Sequence, residues 1–191
     1  TDKVNTSAAI YVVRDPRNLI TSLAHHYELS IDEAFSFLTN KRKIIFPINI
    51  SNNEKNVKES EDFNFLGDWS THYQSWKNIN FCPVKIIKYE DCLIDAQKVF
   101  VSTLNFLSKF LKFEYDKKKI NSALTSTSFK NLRQMENKDG FHESATSSKT
   151  RKKIKFFNLG KKNNWKSLLD KKIVKKIESR FKNEMSELGY L

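Results

Sequence analysis

The chain has 191 residues, of which 39% are hydrophobic and 13% aromatic, and its formal net charge is +12. This composition excludes an intrinsically disordered chain and predicts one packed domain, while no apolar run approaches the roughly 20 residues of a membrane-spanning helix. The positive charge favours anionic partners, namely nucleotides, sulfated or phosphorylated substrates, nucleic acid or an acidic membrane surface. The two cysteines, Cys82 and Cys92, make neither a metal-binding pattern nor a disulfide framework, so we expect a reducing, cytoplasmic environment.

The first predicted elements are a strand and a helix in residues 8–27. Residues 9–13 form an apolar run rich in β-branched and aromatic side chains, which is typical of a buried strand. Residues 18–27 are compatible with a helix, and Pro16 suits its first turn, where a missing N–H costs nothing. The backbone N–H groups at the start of such a helix favour an anion.

Arg14 and Ser22 are the candidate anion ligands of this strand and helix. Arg14 lies where the strand ends and Ser22 follows about two helical turns later, so a guanidinium and a hydroxyl converge on one phosphate. The alternative is that Arg14 pairs with Asp15 or another neighbouring carboxylate and that Ser22 is an ordinary helix residue. The local sequence by itself fits the two interpretations equally well.

Residues 30–76 predict two helices on either side of an irregular stretch. Ser30 and Glu33 form a capping-box pattern that starts a short helix. Residues 44–50 are a small apolar plug, and residues 51–62 are a polar surface loop that either covers a substrate site or is a solvated insertion. The apolar face of the next helix, which we assign to the core, consists of Phe65, Trp69, Tyr73 and Trp76.

A second strand that ends in a polar turn is predicted at residues 84–91. In a parallel sheet, ligands bind in the crevice beyond the carboxyl ends of the strands. Tyr89 lies at such an end, as Arg14 does, so we expect the two side chains to face the same crevice.

The C-terminal half is predicted to contain helices around one long basic loop. An amphipathic helix begins near Asp95, and Asp116 caps another helix. Residues 131–155 contain few apolar side chains and are predicted to be a loop, whose basic end is either a solvated surface or an electrostatic funnel for an anionic nucleotide. A long helix with one apolar face follows over residues 169–188 and ends at Gly189.

Four short motifs, in order along the chain, resemble the sulfotransferases that use 3′-phosphoadenosine 5′-phosphosulfate (PAPS). They are YVVRDPRNLITSLAHHY, the Gly-x-Trp helix with Gly67-Asp68-Trp69, Lys88-Tyr89-Glu90-Asp91, and Thr127-Ser128-Phe129-Lys130. The resemblance implies that Arg14 and Ser22 hold the 3′-phosphate of the nucleotide. It also implies that Tyr89 and Thr127 contact the adenine and that Phe129 stacks on it.

The C-terminal motif of that family is only partly matched. The family has Arg-Lys-Gly and then Gly-Asp-Trp-Lys, where this chain has Asn158-Leu159-Gly160 and Asn163-Asn164-Trp165-Lys166. The resemblance places Asn158, Leu159 and Gly160 at the nucleotide, with backbone N–H groups around Gly160 as ligands. At Asn158, however, a charge-assisted hydrogen bond of about 1.5–3 kcal/mol becomes a neutral one of about 1 kcal/mol. Lys155 or Lys161 is a candidate for compensating this loss.

No catalytic residue is assigned to this chain. The family holds the phosphosulfate with a P-loop relative that carries a lysine, and its catalytic His or Glu follows that loop; both are expected upstream of Thr1. His25 and His26 are alternative bases, although we favour structural or surface roles for them. The four scattered histidines make no zinc site, so no metal is expected.

The resemblance therefore predicts an α/β fold for residues 1–191: the C-terminal portion of a sulfotransferase domain, with a three-layer, P-loop NTPase-like parallel sheet flanked by helices. The implied function is sulfuryl transfer from PAPS to a hydroxyl or amine of a small-molecule or glycan acceptor, and we expect this portion to be inactive alone. We expect neither a specific nucleic-acid partner nor a membrane span. The rival interpretations are a non-catalytic basic binder of nucleotides or nucleic acid and an interaction domain with a degenerate site, for which Asn158 is the best support.

Overall fold

The computed structural model describes residues 3–45 and 64–191 of the chain. The strands in this part are β1 (Ala9–Val13), β2 (Ile44–Ile45), β3 (Asn64–Phe65) and β4 (Val84–Lys88). The helices are α1 (Pro16–His26), α2 (Ile31–Thr39), α3 (Trp69–Lys77), α4 (Tyr89–Ile94), α5 (Ala96–Leu107), α6 (Lys117–Ser126), α7 (Phe129–Asp139), α8 (Trp165–Leu168), α9 (Lys171–Arg180) and α10 (Lys182–Glu187), and a short 3₁₀ helix spans Gly160–Lys162.

The sheet that organises the site consists of β1 and β4, which are parallel. Their register pairs Ala9 with Val84 and continues to Val13 with Lys88, so both strands end at the same edge. A separate antiparallel pair joins β2 to β3 through Ile44 and Phe65. Parallel strands need a crossover connection, and here α1, α2 and α3 lie in it. The predicted α/β fold with a parallel sheet flanked by helices is confirmed.

The main core lies on one face of this sheet. Tyr11 and Val13 point into it, whereas the alternate side chains Ile10 and Val12 are 39% and 54% exposed. Helices α1, α2, α3, α9 and α10 contribute the rest of this core, with fully buried side chains that include Ile20, Ile177, Phe181 and Met185. The opposite face of β4 carries Lys85, whose Nζ donates to Ser102 Oγ on α5 at 2.9 Å.

Side-chain caps explain where most of these helices begin. Ser30 and Glu33 form the predicted capping box at the start of α2, with both reciprocal hydrogen bonds present. The side chains of Asp95 and Asp116 accept from the backbone N–H groups of Lys98 and Lys119, as predicted for α5 and α6. Asp15 caps α1 by accepting from the Arg17 N–H, so this helix begins at Pro16.

The loop predicted for residues 131–155 is wrong in its first part, because α7 occupies Phe129–Asp139. Ser128 caps this helix by accepting from the Asn131 N–H. The buried residue of α7 is Glu136, which is charged. The helix therefore lacks a buried apolar stripe, the feature from which hydrophobic periodicity predicts a helix. Its N-terminal cap and the helix propensity of its polar residues stabilise the helix instead.

Two other predictions need correction. Phe65 lies in β3 and is 58% exposed, so it is not part of the apolar face of α3, whereas Trp69 and Tyr73 are buried as predicted. The final helix is divided into α9 and α10 at Phe181, whose side chain is fully buried. The apolar plug beyond Ile45 and the polar loop at residues 51–62 lie outside the described residues.

Candidate functional site

One cavity of about 820 Å³ lies beyond the carboxyl ends of β1 and β4. The structure brings all the predicted nucleotide-binding residues to its wall, namely Arg14, Ser22, Tyr89, Thr127, Phe129, Asn158, Leu159 and Gly160. They come from α1, α4, α7, the 3₁₀ helix and three connecting segments, so the cavity assembles residues that are up to 146 positions apart, from Arg14 to Gly160. Their contacts show what each can offer a ligand.

Arg14 presents a half-buried cation that has no carboxylate partner within the described residues. Its Nη1 donates to Ser22 Oγ at 3.0 Å, and its guanidinium carbon lies 4.5 Å from the centre of the Tyr89 ring. Its Nε is buried and, in the described part of the chain, meets no acceptor. Trp69 Nε1 donates to the Arg14 carbonyl at 3.2 Å and so fixes the backbone at the strand end. A guanidinium that faces a cavity without a carboxylate partner among the described residues favours an anion there.

The alternative in which Arg14 pairs with Asp15 is wrong, because Arg17 takes that carboxylate. Arg17 Nη2 lies 2.8 Å from Asp15 Oδ2, and Arg17 Nη1 lies 2.6 Å from Glu178 Oε1. Arg17 Nη2 also donates to the Tyr190 carbonyl at 2.7 Å, and its guanidinium carbon lies 4.2 Å from the centre of the Trp165 ring. Arg17 therefore joins α1 to the C-terminal helices, and Arg14 is left without a carboxylate partner in the described part of the chain.

Asn163 is a site residue that the motif comparison did not single out. Its Nδ2 donates to Ser22 Oγ at 2.9 Å and to the Asn18 carbonyl at 3.0 Å. Its Oδ1 accepts from Thr21 Oγ1 at 2.6 Å. These three contacts join α1 to the segment after the 3₁₀ helix, and Asn163 also lines the cavity. No local pattern predicts this, because the partners lie more than 140 residues away in sequence.

Phe129 and Gly160 form one wall of the cavity. The backbone of Gly160 has a φ of +55°, and a Cβ on it would lie 2.8 Å from the Phe129 ring. Glycine is therefore required there both by the left-handed backbone and by the close approach of the aromatic face. Thr127, at the end of α6, uses its hydroxyl to donate to the Ala123 carbonyl at 2.7 Å. Its Oγ1 remains able to accept a hydrogen bond from a ligand.

The segment that carries Asn158 is held by Glu136, a buried carboxylate of α7. Glu136 Oε1 accepts from the Phe156 N–H at 2.6 Å and from Ser144 Oγ at 3.0 Å, and its Oε2 accepts from the Phe157 N–H at 3.1 Å. Burial opposes ionisation of this carboxyl, but the hydrogen bonds outweigh burial and hold the pKa of Glu136 below its ordinary value. A polar helix that the sequence did not predict thus positions the predicted segment.

The two lysines proposed to compensate for Asn158 are placed differently. Lys161 lines the cavity. Lys155 Nζ donates instead to Asn137 Oδ1 at 2.6 Å, away from the predicted phosphate ligands. Among the described residues, Lys161 is thus the better-placed of these two cations.

His25 and His26 both line the cavity, yet their contacts are structural. His25 Nε2 lies 2.8 Å from the Lys155 carbonyl, and because a carbonyl only accepts, this nitrogen carries a proton. His26 packs edge-on against Phe156 with ring centres 5.8 Å apart. Burial, together with the neighbouring His25, lowers the pKa of His26. Within residues 3–45 and 64–191, no group of three or more His, Cys, Asp or Glu side chains is arranged to hold a metal ion.

Comparison with known proteins identifies the family. The family described as "Sulfotransferase domain" matches residues 5–189. The chain belongs to this sulfotransferase family. The resemblance inferred from the four short motifs is thereby confirmed. Separately, no helix in the described ranges is both long and apolar enough to cross a membrane.

A solved sulfotransferase structure shares the fold. The chain is similar to mouse sulfotransferase SULT7A1, whose crystal structure is complexed with PAP, at 18% identity and a TM-score of 0.54. The match covers 96% of this chain and 60% of the mouse chain, so the chain spans less than two thirds of that sulfotransferase. A comparison with curated proteins finds no match.

Proposed function

We propose that this chain binds the 3′-phosphoadenosine part of PAPS and that the protein transfers the sulfuryl group of PAPS to a hydroxyl or amine acceptor. The observation that carries the proposal is the half-buried guanidinium of Arg14, which lines the cavity and has no carboxylate partner among the described residues. Its Ser22 neighbour is a hydroxyl, so the pair lacks the negative charge that a phosphate would supply.

The remaining wall suits a nucleoside. Arg14 and Ser22 take the 3′-phosphate, while Phe129 offers an aromatic face for the adenine and Tyr89 and Thr127 frame it. Asn158, Leu159 and Gly160 also line the cavity, and their backbone groups contact the phosphate. The PAP complex of the mouse protein with the same fold supports this assignment.

The proposed reaction is a substitution at sulfur. The bond between sulfur and the bridging oxygen of the 5′-phosphate breaks, and a bond between sulfur and the acceptor oxygen or nitrogen forms. The products are the sulfated acceptor and adenosine 3′,5′-bisphosphate (PAP), and the acceptor proton passes to a base. No residue of this chain is assigned to this base or to the loop that holds the phosphosulfate. The described residues serve binding, since the cations and dipoles around the 3′-phosphate orient PAPS.

Calorimetric titration with PAP and with adenosine 5′-monophosphate (AMP) tests the nucleotide assignment. We expect wild-type chain to prefer PAP by about 10- to 100-fold, because the 3′-phosphate gains charge-assisted hydrogen bonds. Arg14→Ala should abolish most of this preference and leave AMP binding within about threefold. Arg133→Ala is the matched control, since it removes the same charge from an exposed position on α7 outside the cavity. Equal losses in the two variants would contradict the proposal.

Asn158 supports a second candidate, a binder whose site has degenerated. Its neutral amide stands where the related motif has a guanidinium, and the net charge of +12 attracts any polyanion. Equal affinity for PAP and AMP, with a steep loss of binding as salt is raised, would favour this candidate over the sulfotransferase.

A further inference from the structure

The hydroxyl of Ser22 has both of its acceptor positions occupied. Arg14 Nη1 lies 3.0 Å from Ser22 Oγ, and Asn163 Nδ2 lies 2.9 Å from the same atom. A guanidinium nitrogen and an amide nitrogen only donate, and a serine hydroxyl has two lone pairs and one hydrogen. The hydrogen of Ser22 must therefore be donated, and within residues 3–45 and 64–191 it meets no protein acceptor.

The orientation of the Asn163 amide is decided by its other partners. Nδ2 lies 3.0 Å from the Asn18 carbonyl, which only accepts, so the nitrogen and not the oxygen must face it. Oδ1 lies 2.6 Å from Thr21 Oγ1, which can donate to it. Reversing the amide would set two oxygens against each other at Asn18, so the donor that reaches Ser22 is fixed.

We propose that Asn163 is a positioning residue that fixes Ser22 as a hydrogen-bond donor to the 3′-phosphate. This inference rests on the proposed function of the cavity. With both lone pairs of Ser22 taken, its O–H is left to donate to an anion beside the guanidinium of Arg14, which also lines the cavity. By fixing the Ser22 hydroxyl as a donor, Asn163 makes the site favour a 3′-phosphate over a neutral 3′-hydroxyl.

The position also explains how the site tolerates Asn158. The motif that this segment resembles has glycine at the place of Asn163, which supplies no side-chain donor. Here a neutral residue replaces a cation at 158, while a new donor orders the hydroxyl at 22. The anion then loses one charge-assisted contact but meets a donor whose direction is already set before binding.

The test measures the ratio of the dissociation constants for AMP and PAP in single variants. Asn163→Ala should lower this ratio about tenfold while AMP binding stays within about twofold, because only the 3′-phosphate contact is altered. Asn163→Asp keeps the shape but replaces the donor with an acceptor and adds a negative charge, so the ratio should fall further. Asn164→Ala is the matched control: this neighbouring, exposed asparagine caps α8 and does not contact Ser22.

A double-mutant cycle separates positioning from a general structural role. In the Ser22→Ala background, Asn163→Ala should change the ratio by less than about twofold, since its effect passes through the missing hydroxyl. An unchanged ratio in Asn163→Ala, a full effect that persists without Ser22, or equal weakening of AMP and PAP would each overturn the inference while wild type still prefers PAP. If wild type itself does not prefer PAP, the proposed function fails and the inference fails with it.

Discussion

Two arginines three positions apart, Arg14 and Arg17, have opposite environments. Arg17 is surrounded by acceptors: Asp15, Glu178 and the Tyr190 carbonyl all lie within 2.8 Å of its terminal nitrogens. Arg14 contacts one neutral hydroxyl and one aromatic ring, and its Nε is buried without a partner in the described part of the chain.

This difference shows that Arg17 supports the fold around the site, whereas Arg14 belongs to the site itself. Burying a cation is costly unless it is paired, so the fold itself supplies acceptors to the buried Arg17, whereas the half-buried Arg14 keeps N–H donors for a ligand. Arg17 connects β1 and α1 to α9 and the chain end, and this connection holds the turn from which Arg14 projects. We call Asp15, Arg17, Glu178 and Tyr190 the saturated arginine cluster.

The largest expected effect is on the free energy of unfolding when each of the two arginines is replaced by alanine. Arg17→Ala should lower the free energy of unfolding by about 3–5 kcal/mol, because it leaves the buried carboxylate of Asp15 without its cation. Arg14→Ala should change it by less than about 1 kcal/mol, since no ion pair is lost. Urea denaturation monitored by tryptophan fluorescence measures both. A similar loss of stability in the two variants would show that Arg14 is also structural. Because Arg17→Ala is expected to destabilise the fold, Arg133 rather than Arg17 provides the control for binding.

The next effect compares the stability cost of adding a methyl group at Gly160, in the cavity wall, with the cost at Gly140, outside the cavity. Gly160→Ala should cost about 2–4 kcal/mol, because its backbone has φ of +55° and the new methyl would displace the Phe129 ring. Gly140→Ala, with φ of +75°, ψ of −179° and open space around the added carbon, should cost about 1–3 kcal/mol from backbone strain alone. Thermal denaturation compares them. Nucleotide affinity should fall only for Gly160→Ala; a fall in both would place Phe129 outside the ligand-binding wall.

A smaller effect addresses the saturated arginine cluster through Tyr190, whose hydroxyl donates to Glu90 Oε2 at 2.8 Å. Tyr190→Phe should cost about 1.5 kcal/mol near neutral pH. Burial, reinforced by the Glu90 carboxylate, raises the pKa of Tyr190. Stability from the protonated hydroxyl is then fully present below the ordinary tyrosine pKa of about 10 and is lost as the pH rises above it.

The difference in stability between wild type and Tyr190→Phe should therefore shrink above about pH 10 in urea titrations. Tyr11 and Tyr73, whose pKa values burial raises to about 12, are present in both proteins and do not contribute to the difference. A difference that stays constant up to pH 11 would show that the Tyr190 hydroxyl is not held by Glu90 in solution.

The smallest effect distinguishes the two lysines near Asn158. Lys161→Ala should weaken PAP binding about two- to fivefold at low salt, with a smaller effect at high salt, because an exposed cation is screened. Lys155→Ala should leave PAP binding unchanged, since its amine is bonded to Asn137. Calorimetry at two salt concentrations measures both, and the reverse order would assign the compensating charge to Lys155.

The sequence by itself determined the elements in which the deciding partners are close together. The Arg14 to Ser22 contact lies within one strand, turn and helix, and the caps at Ser30, Asp95 and Asp116 act over three residues. Such features follow from backbone geometry and local hydrogen bonding, so a short motif is enough to predict them.

The tertiary structure alone decided which polar groups are satisfied and which remain free. Arg17 and Arg14 have the same side chain and both lie close to Asp15 in sequence, but only Arg17 pairs with Asp15 and is reached by Glu178 and Tyr190. The contact of Asn163 with Ser22 likewise joins residues 141 positions apart. Hydrogen bonds depend on distances of a few tenths of an ångström and on direction, and packing between distant segments sets both. Hydrophobic periodicity carries no such information, so the unpaired donors that define this site become visible only when the chain is folded.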